Sequence, residues 1–134
     1  HRMLAMKTPP QIGPTVIDEA GMMRRYGPEI GPMCIAESRK KALDAEGAHA
    51  FNRKISEIWP VLCDELRPML LPVDTMRAAL VEAGGPIDAD TLGLPRPLWR
   101  DALKYAREIR GRWSFLDLAD DAGLLDPFLD EEGL

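Results

Sequence analysis

The chain has 134 residues, 46% of them hydrophobic and 29% charged, with a formal net charge of −5. This is the length and balance of a single globular domain. The acidic balance weighs against a nucleic-acid module, which needs a net basic footprint, and against docking on an acidic membrane surface.

From the N-terminus, "HRMLAMK" is too short and too quickly broken for a signal peptide, and no apolar run is long enough to span a bilayer. A cytoplasmic protein is therefore expected. There is no Met at position 1, and "RMLAM" reads as the last turn of a helix already under way. Residues 7–17 are a proline-rich connector; Lys7 to Thr15 alone hold three prolines and a glycine. Asp18 is placed to cap a short helix through Tyr26 that Gly27 ends. Pro28 suits the first turn of the next helix, where its missing N–H costs nothing. That helix is expected to reach about Leu43, with Ile30, Met33, Cys34 and Ala42 facing inward.

The strongest periodic signal runs from Ala45 to Leu71. Phe51, Ile55, Ile58, Trp59, Leu62, Leu66, Met69 and Leu70 recur at three- and four-residue spacing and form one apolar stripe. Pro60 and Pro68 fall inside it, and an interior proline deletes a helix hydrogen bond, so a kink or break is expected near Trp59. A further helix is expected with Asp74 as its N-cap, Leu80 and Val81 inward and Gly84 as its left-handed stop. Asp88 caps a short turn or helix. The segment after it carries Leu98, Ala102, Tyr105 and Ile109 on one face and Arg100, Lys104 and Arg107 on the other. Ser114 and Asp117 have capping-box spacing and open a last helix that Gly123 closes. Residues 126–134 are expected as a flexible acidic tail. The expectation is one all-α domain over 1–134, a bundle of about six or seven helices joined by short loops.

Chemistry-bearing residues are sparse. Cys34 and Cys63 make no Cys-x-x-Cys and no zinc spacing with histidine, and are expected as reduced thiols on helices. His1 and His49 have no ligand partner at helical spacing, so no metal site is expected. The carboxylates Asp64/Glu65, Asp120/Asp121 and Asp130/Glu131/Glu132 are sequence neighbours. Neighbours on a helix diverge by about 100°, which suits a solvated face better than an acid–base pair. Trp59, Trp99 and Trp113 read as packing. The basic face is the one candidate site. Arg107, Arg110 and Arg112 are set down as an anion or structural contact, and Arg100 and Lys104 extend their row. A helix C-terminus repels anions, so a solvated face or salt bridges within the domain compete with that reading. No catalytic and no cofactor-binding residue is expected in this chain.

The stretch "GGPIDADTLGLPRPLWRDALKYAREIRGRWSFLDLADDAGLL" resembles the C-terminal end of the sn-glycerol-1-phosphate dehydrogenase family. That family lies within the broader group of dehydroquinate synthase and iron-containing alcohol dehydrogenases. The matching pieces are the Ala-Gly-x-Pro turn at Ala83 to Pro86, the Leu-Gly segment at Thr91 to Gly93, the helix Asp101 to Ile109, and Ile-Arg-x-Arg-aromatic-Ser-x-Leu-Asp-Leu at Ile109 to Leu118. "RYGPEIGPMCIAES" is similar to the segment leading into the family's middle C-terminal helices. Trp113 replaces the more usual Tyr or Phe. The resemblance implies the C-terminal part of a dehydroquinate synthase-like helical domain, with an upstream Rossmann-like domain in the same polypeptide that binds NAD(P). It also implies a zinc ion, or iron in relatives, held by an Asp and two His. None of those ligands can be placed here; His1, for one, is not followed by Gly. The chain alone is then expected to be inactive and structural, belonging to a parent that moves a hydride between NAD(P)H and dihydroxyacetone phosphate. Exposed apolar surface is expected to drive homo-oligomer formation. Two other readings stand beside this one. The first is a free-standing helical interaction module docking through the Phe51 to Leu70 face. The second is a small anion-binding regulator using Arg100, Lys104 and Arg107.

Overall fold

The computed structural model describes residues 1–133, and no strand occurs among them. The helices are α1 (Glu19–Lys41), α2 (Ala45–Leu66), α3 (Val73–Glu82), α4 (Ala89–Leu92), α5 (Arg96–Tyr105), α6 (Phe115–Asp121) and α7 (Leu125–Glu131). Short 3₁₀ turns lie at Met3–Ala5, Arg67–Met69 and Ala106–Ile109. Among the described residues, no helix is long and apolar enough to cross a membrane.

Asp18 caps α1, its carboxylate accepting from the Gly21 N–H at 2.8 Å, which satisfies one of the orphan donors of a first turn. Gly27 breaks the helical run with φ of 72°, a conformation that strains any residue with a Cβ. Pro28 then restarts the helix. The second run turns Gly31, Cys34, Ile35, Ser38 and Lys41 inward. Ile30 and Met33, expected inside, are 50% and 58% exposed. Their ridge is the more apolar one, but the Cys34–Ser38–Lys41 ridge is the one that meets the 3₁₀ turn Ala106–Ile109, through Ser38 to the Glu108 carbonyl and Lys41 to the Arg107 carbonyl.

α2 turns most of its apolar stripe inward through Leu66, but Ile58, expected with it, is 37% exposed. Ala48, Ile55, Trp59 and Cys63 join Leu4, Ile12 and Leu118 in the main core, with Phe51, Leu62 and Leu66 packed against it. Burying a side chain of Ile or Leu size contributes about 1.5–3 kcal/mol. The break expected at Trp59 does not occur, and α2 passes unbroken through Pro60. Pro60 and Ser56, the residue whose carbonyl it deprives of a partner, are both exposed, so water replaces the lost bond. The proline that does end the helix is Pro68, in the first positions of the Arg67–Met69 turn. Met69 and Leu70 therefore leave the stripe and are exposed.

The connector is irregular but anchored. The Ile12 N–H and carbonyl are both bonded by the Asn52 amide, each at 2.9 Å. Thr15 bridges the loop between α1 and α2 to α6, accepting from the Leu43 N–H and donating to Asp121. The Trp59 indole donates to the Met6 carbonyl at 3.2 Å.

The second half departs further from expectation. Pro72, not Asp74, is the N-cap of α3, because its backbone (φ −54°, ψ 141°) is already extended; Asp74 lies in the first turn. Leu80 and Val81, expected inward, are exposed, and α3 has no buried residue. Asp88 caps α4 in a capping box with Thr91, and the capping box of Ser114 and Asp117 opens α6. Residues 126–134, expected as a flexible tail, instead carry most of α7; Leu134 lies outside the described residues. Leu125 and Leu129 of α7 form a second core cluster with Ala119, flanked by Leu103 of α5. The acidic side chains of this segment concealed an apolar pair at i, i+4, the spacing of one helix face.

Candidate functional site

The row Arg100, Lys104 and Arg107 does not face solvent. Arg100 Nη2 meets Asp130 of α7 at 2.8 Å. Lys104 Nζ donates to both oxygens of Asp126 at 2.6 and 2.8 Å, and this bond raises the lysine's pKa despite partial burial. Arg107 pairs with Asp120 of α6 and lies 3.7 Å from Asp117. The residues on the other side, Leu98 and Ile109, are each 52% exposed. Of the readings open for this row, salt bridges within the domain are the one realised, and the reason is its neighbour. α6 and α7 present four aspartates to it, and each cation gains a carboxylate by facing them.

Behind this row lies a buried polar seam. Lys41 Nζ donates to Asp117 Oδ1 and to the Arg107 carbonyl, both at 2.5 Å. The Lys41 and Asp117 side chains are only 4% and 2% exposed. The other oxygen of Asp117 accepts from the Ser114 N–H and hydroxyl, each at 2.8 Å. One aspartate therefore caps α6 and anchors α1 to it. On the 3₁₀ turn beside Arg107, Glu108 is buried and accepts from Arg25 Nη2 at 2.7 Å and from the Tyr26 hydroxyl at 2.9 Å. The Arg25 guanidinium stacks 3.8 Å from the Tyr105 ring centroid. Burial and then the Glu108 bond push the Tyr26 hydroxyl well above its ordinary pKa. Burial, with Glu108 behind it, pushes the Cys34 thiol up, so Cys34 is a neutral thiol; Cys34 and Cys63 are both free and buried.

The three arginines set down as one contact are therefore divided. Arg107 is spent on α6. Arg110 and Arg112 emerge on the surface, where with Glu37, Lys40, Ile109 and Gly111 they line an open hollow of about 530 Å³. Lys40 pairs with Glu37 and holds its carboxyl below the usual range, helped by the Gly111 N–H. A Cβ at Gly111 would lie 2.5 Å from Glu37 Oε2, so a larger residue there would push the Glu37 carboxylate aside. Arg110 and Arg112 make no ion pair among the described residues, and no buried polar group floors the hollow. It can hold an anion only by exposed ion pairing, worth about 0–1 kcal/mol a contact.

The remaining expectations fall into place around this. His49 is exposed on α2 beside Asn52 and Arg53, and His1 bonds the Leu71 carbonyl at 2.9 Å. Among the described residues no three His, Cys, Asp or Glu side chains are placed to hold a metal ion. Asp120 and Asp121, expected on a solvated face, are partly buried against Arg107 and Thr15, and burial raises the Asp121 carboxyl. Trp59 is core, and the Trp113 ring lies 4.8 Å from Phe51 with its indole nitrogen buried and unpartnered among the described residues. Sequence reasoning missed Lys41, Glu108 and Arg25 altogether. No local signal marks them, because their partners lie 66 to 83 residues away.

Comparison with protein-family models, curated proteins and solved structures finds no match to this chain.

Proposed function

We propose that this chain is the C-terminal helical domain of a metal-dependent, NAD(P)-linked oxidoreductase of the glycerol-1-phosphate dehydrogenase type, cytoplasmic, with a scaffolding and not a catalytic role of its own. The observation that carries the reading is the use made of Ile109 to Leu118, the most specific part of the resemblance. Within it Asp117 and Leu118 are buried, one as the partner of Lys41 and the cap of α6, the other in the main core. A motif whose most buried members bind only other parts of the fold suits a scaffold. Among the described residues no three His, Cys, Asp or Glu side chains are grouped to fit a zinc or iron centre, so no chemical step is assigned to them. On this reading the metal and NAD(P) belong to the upstream Rossmann-like domain and the helices next to it, and the substrate is dihydroxyacetone phosphate.

One observation favours a second reading, a free-standing interaction module: α3 is a helix without buried residues. The docking face is then not the Phe51 to Leu70 stripe, since Ile55, Trp59 and Cys63 are already core.

The test is the intact mass of the native gene product, captured with an antibody against this domain and assayed for NAD(P)H-dependent reduction of dihydroxyacetone phosphate. A product much heavier than 14.9 kDa that carries this activity is expected. A product of about that mass, or a heavier one without the activity, would overturn the reading.

A further inference from the structure

α3 is ten residues long. An isolated helix of that length is marginal in water, yet every residue of α3 is exposed. Its apolar side chains lie on one side. Val73, Met76 and Leu80 follow each other at three and four residues, with Val81 beside them, and all four are between 42% and 57% exposed. The face continues through exposed Leu70 and Leu71, and across an open hollow shared by Val81 and Leu92. A patch of this kind marks an interaction surface.

The charges on the face say what covers it. Arg77 lies four residues from both Val73 and Val81, inside the apolar stripe, with Asp74 on the flank that Val81 borders. Neither makes an ion pair among the described residues; the charge of Arg77 reaches Asp88 only weakly, as a minor influence on its carboxyl. A purely apolar occupant would leave that guanidinium desolvated and unpaired, which is costly. The fitting occupant is a helix with an apolar stripe and a carboxylate three residues from its own arginine, and α3 is such a helix. Two copies laid antiparallel about a two-fold axis bring Asp74 of each opposite Arg77 of the other. The same register carries Leu70 and Leu71 of one copy toward Val81 and Leu80 of the other. Contacts of this self-complementary type are the commonest way chains pair.

We propose that α3 is the seam of a symmetric homodimer, closed by two reciprocal Asp74–Arg77 pairs over the Val73, Met76, Leu80 and Val81 face. The proposal does not rest on the dehydrogenase reading. The seam rests on one ten-residue helix, short of the roughly 20–30 residues a side of stable complexes, so dissociation in the micromolar range is expected.

Sedimentation equilibrium of the 134-residue chain across that range should show the mass rising from 14.9 kDa toward twice that value. Asp74→Arg and Arg77→Asp should each weaken self-association about tenfold or more, because each sets like charges against one another twice. Mixing the two variants in equal amounts should restore the dimer, since every cross-pair is then opposite in sign. That recovery cannot come from changes within either helix, and circular dichroism of each variant checks that it is folded. A wild type that stays monomeric overturns the proposal. So do single variants that dimerise like wild type, or a mixture that fails to recover.

Discussion

α5 and α3 are both ten residues long and both amphipathic, and they are used in opposite ways. α5 turns its charges toward the molecule and leaves Leu98 in water. α3 leaves Leu80 and Val81 in water and has no side to bury them on. A hydrophobic period shows that a helix has two faces. Which face is covered depends on what the rest of the chain brings to it. α5 meets two aspartates of α7 and Leu103's apolar neighbours Leu125 and Leu129, and the 3₁₀ turn that follows it sets Arg107 against Asp117 and Asp120 of α6, whereas α3 has no substantial packing partner among the other elements.

The comparison breaks first at the polar seam. Lys41→Met should destabilise the fold by about 3–5 kcal/mol, read from urea unfolding, because it removes the buried Asp117 carboxylate's hydrogen-bonded cation and leaves only Arg107 at 3.7 Å. A loss below about 1 kcal/mol, the scale of an exposed pair, would mean that the inward charges near α5 are incidental to the fold. The contrast between apolar residues comes next. Leu129→Ala should cost about 2–5 kcal/mol, and Leu80→Ala should leave the unfolding free energy of the monomer within about 0.5 kcal/mol of wild type. Equal losses from the two would mean that α3 is packed and α7 is not its opposite.

The smallest effect concerns Asp121, whose carboxyl burial raises above its ordinary 3.8. A raised acid contributes stability below its unfolded pKa, and that contribution is lost as pH rises through the higher folded value. Asp121→Asn keeps an acceptor for the Thr15 hydroxyl and does not titrate. From pH 3.8 upward the variant should therefore gain on wild type in urea unfolding, until the raised value is passed, and hold level beyond it. A variant that loses ground over that window would show that the Thr15 hydroxyl, with Arg107 behind it, outweighs burial at this carboxylate.

Much of the fold was legible because its signals are local. Asp18, Asp88 and the Ser114–Asp117 box cap helices within four residues of themselves, and Gly27, Gly84 and Gly123 stop runs by a backbone angle that each adopts alone. Of the apolar stripe on α2, Ile55 and Trp59 are core, while Ile58 is exposed and Cys63, outside the expected stripe, is buried. Shorter signals failed for physical reasons. Pro60 resembled a break, but α2 runs on through it on a side where both Pro60 and Ser56 are exposed. The acidic residues of 126–134 resembled a fraying tail, but two leucines one turn apart suffice to seat a helix. The candidate site was legible as a basic cluster and not as a geometry. Arg107 and Arg110 are three residues apart, yet one ends inside against Asp120 and the other outside in the Glu37 hollow, because the backbone leaves helical angles between them.

By itself the sequence determined the helical class, most helix ends and the identity of the long core stripe, since caps, glycine turns and a sustained period act within one or two turns of the residues that encode them. Only the tertiary structure decided that the cations of α5 face inward, that Lys41 and Glu108 are buried, and that α3 is left uncovered. Those outcomes are set by side chains dozens of residues apart in the chain. A charge is stable in an interior only where an opposite charge and donors of the right geometry already wait for it, and no pattern within a single helix records whether they do.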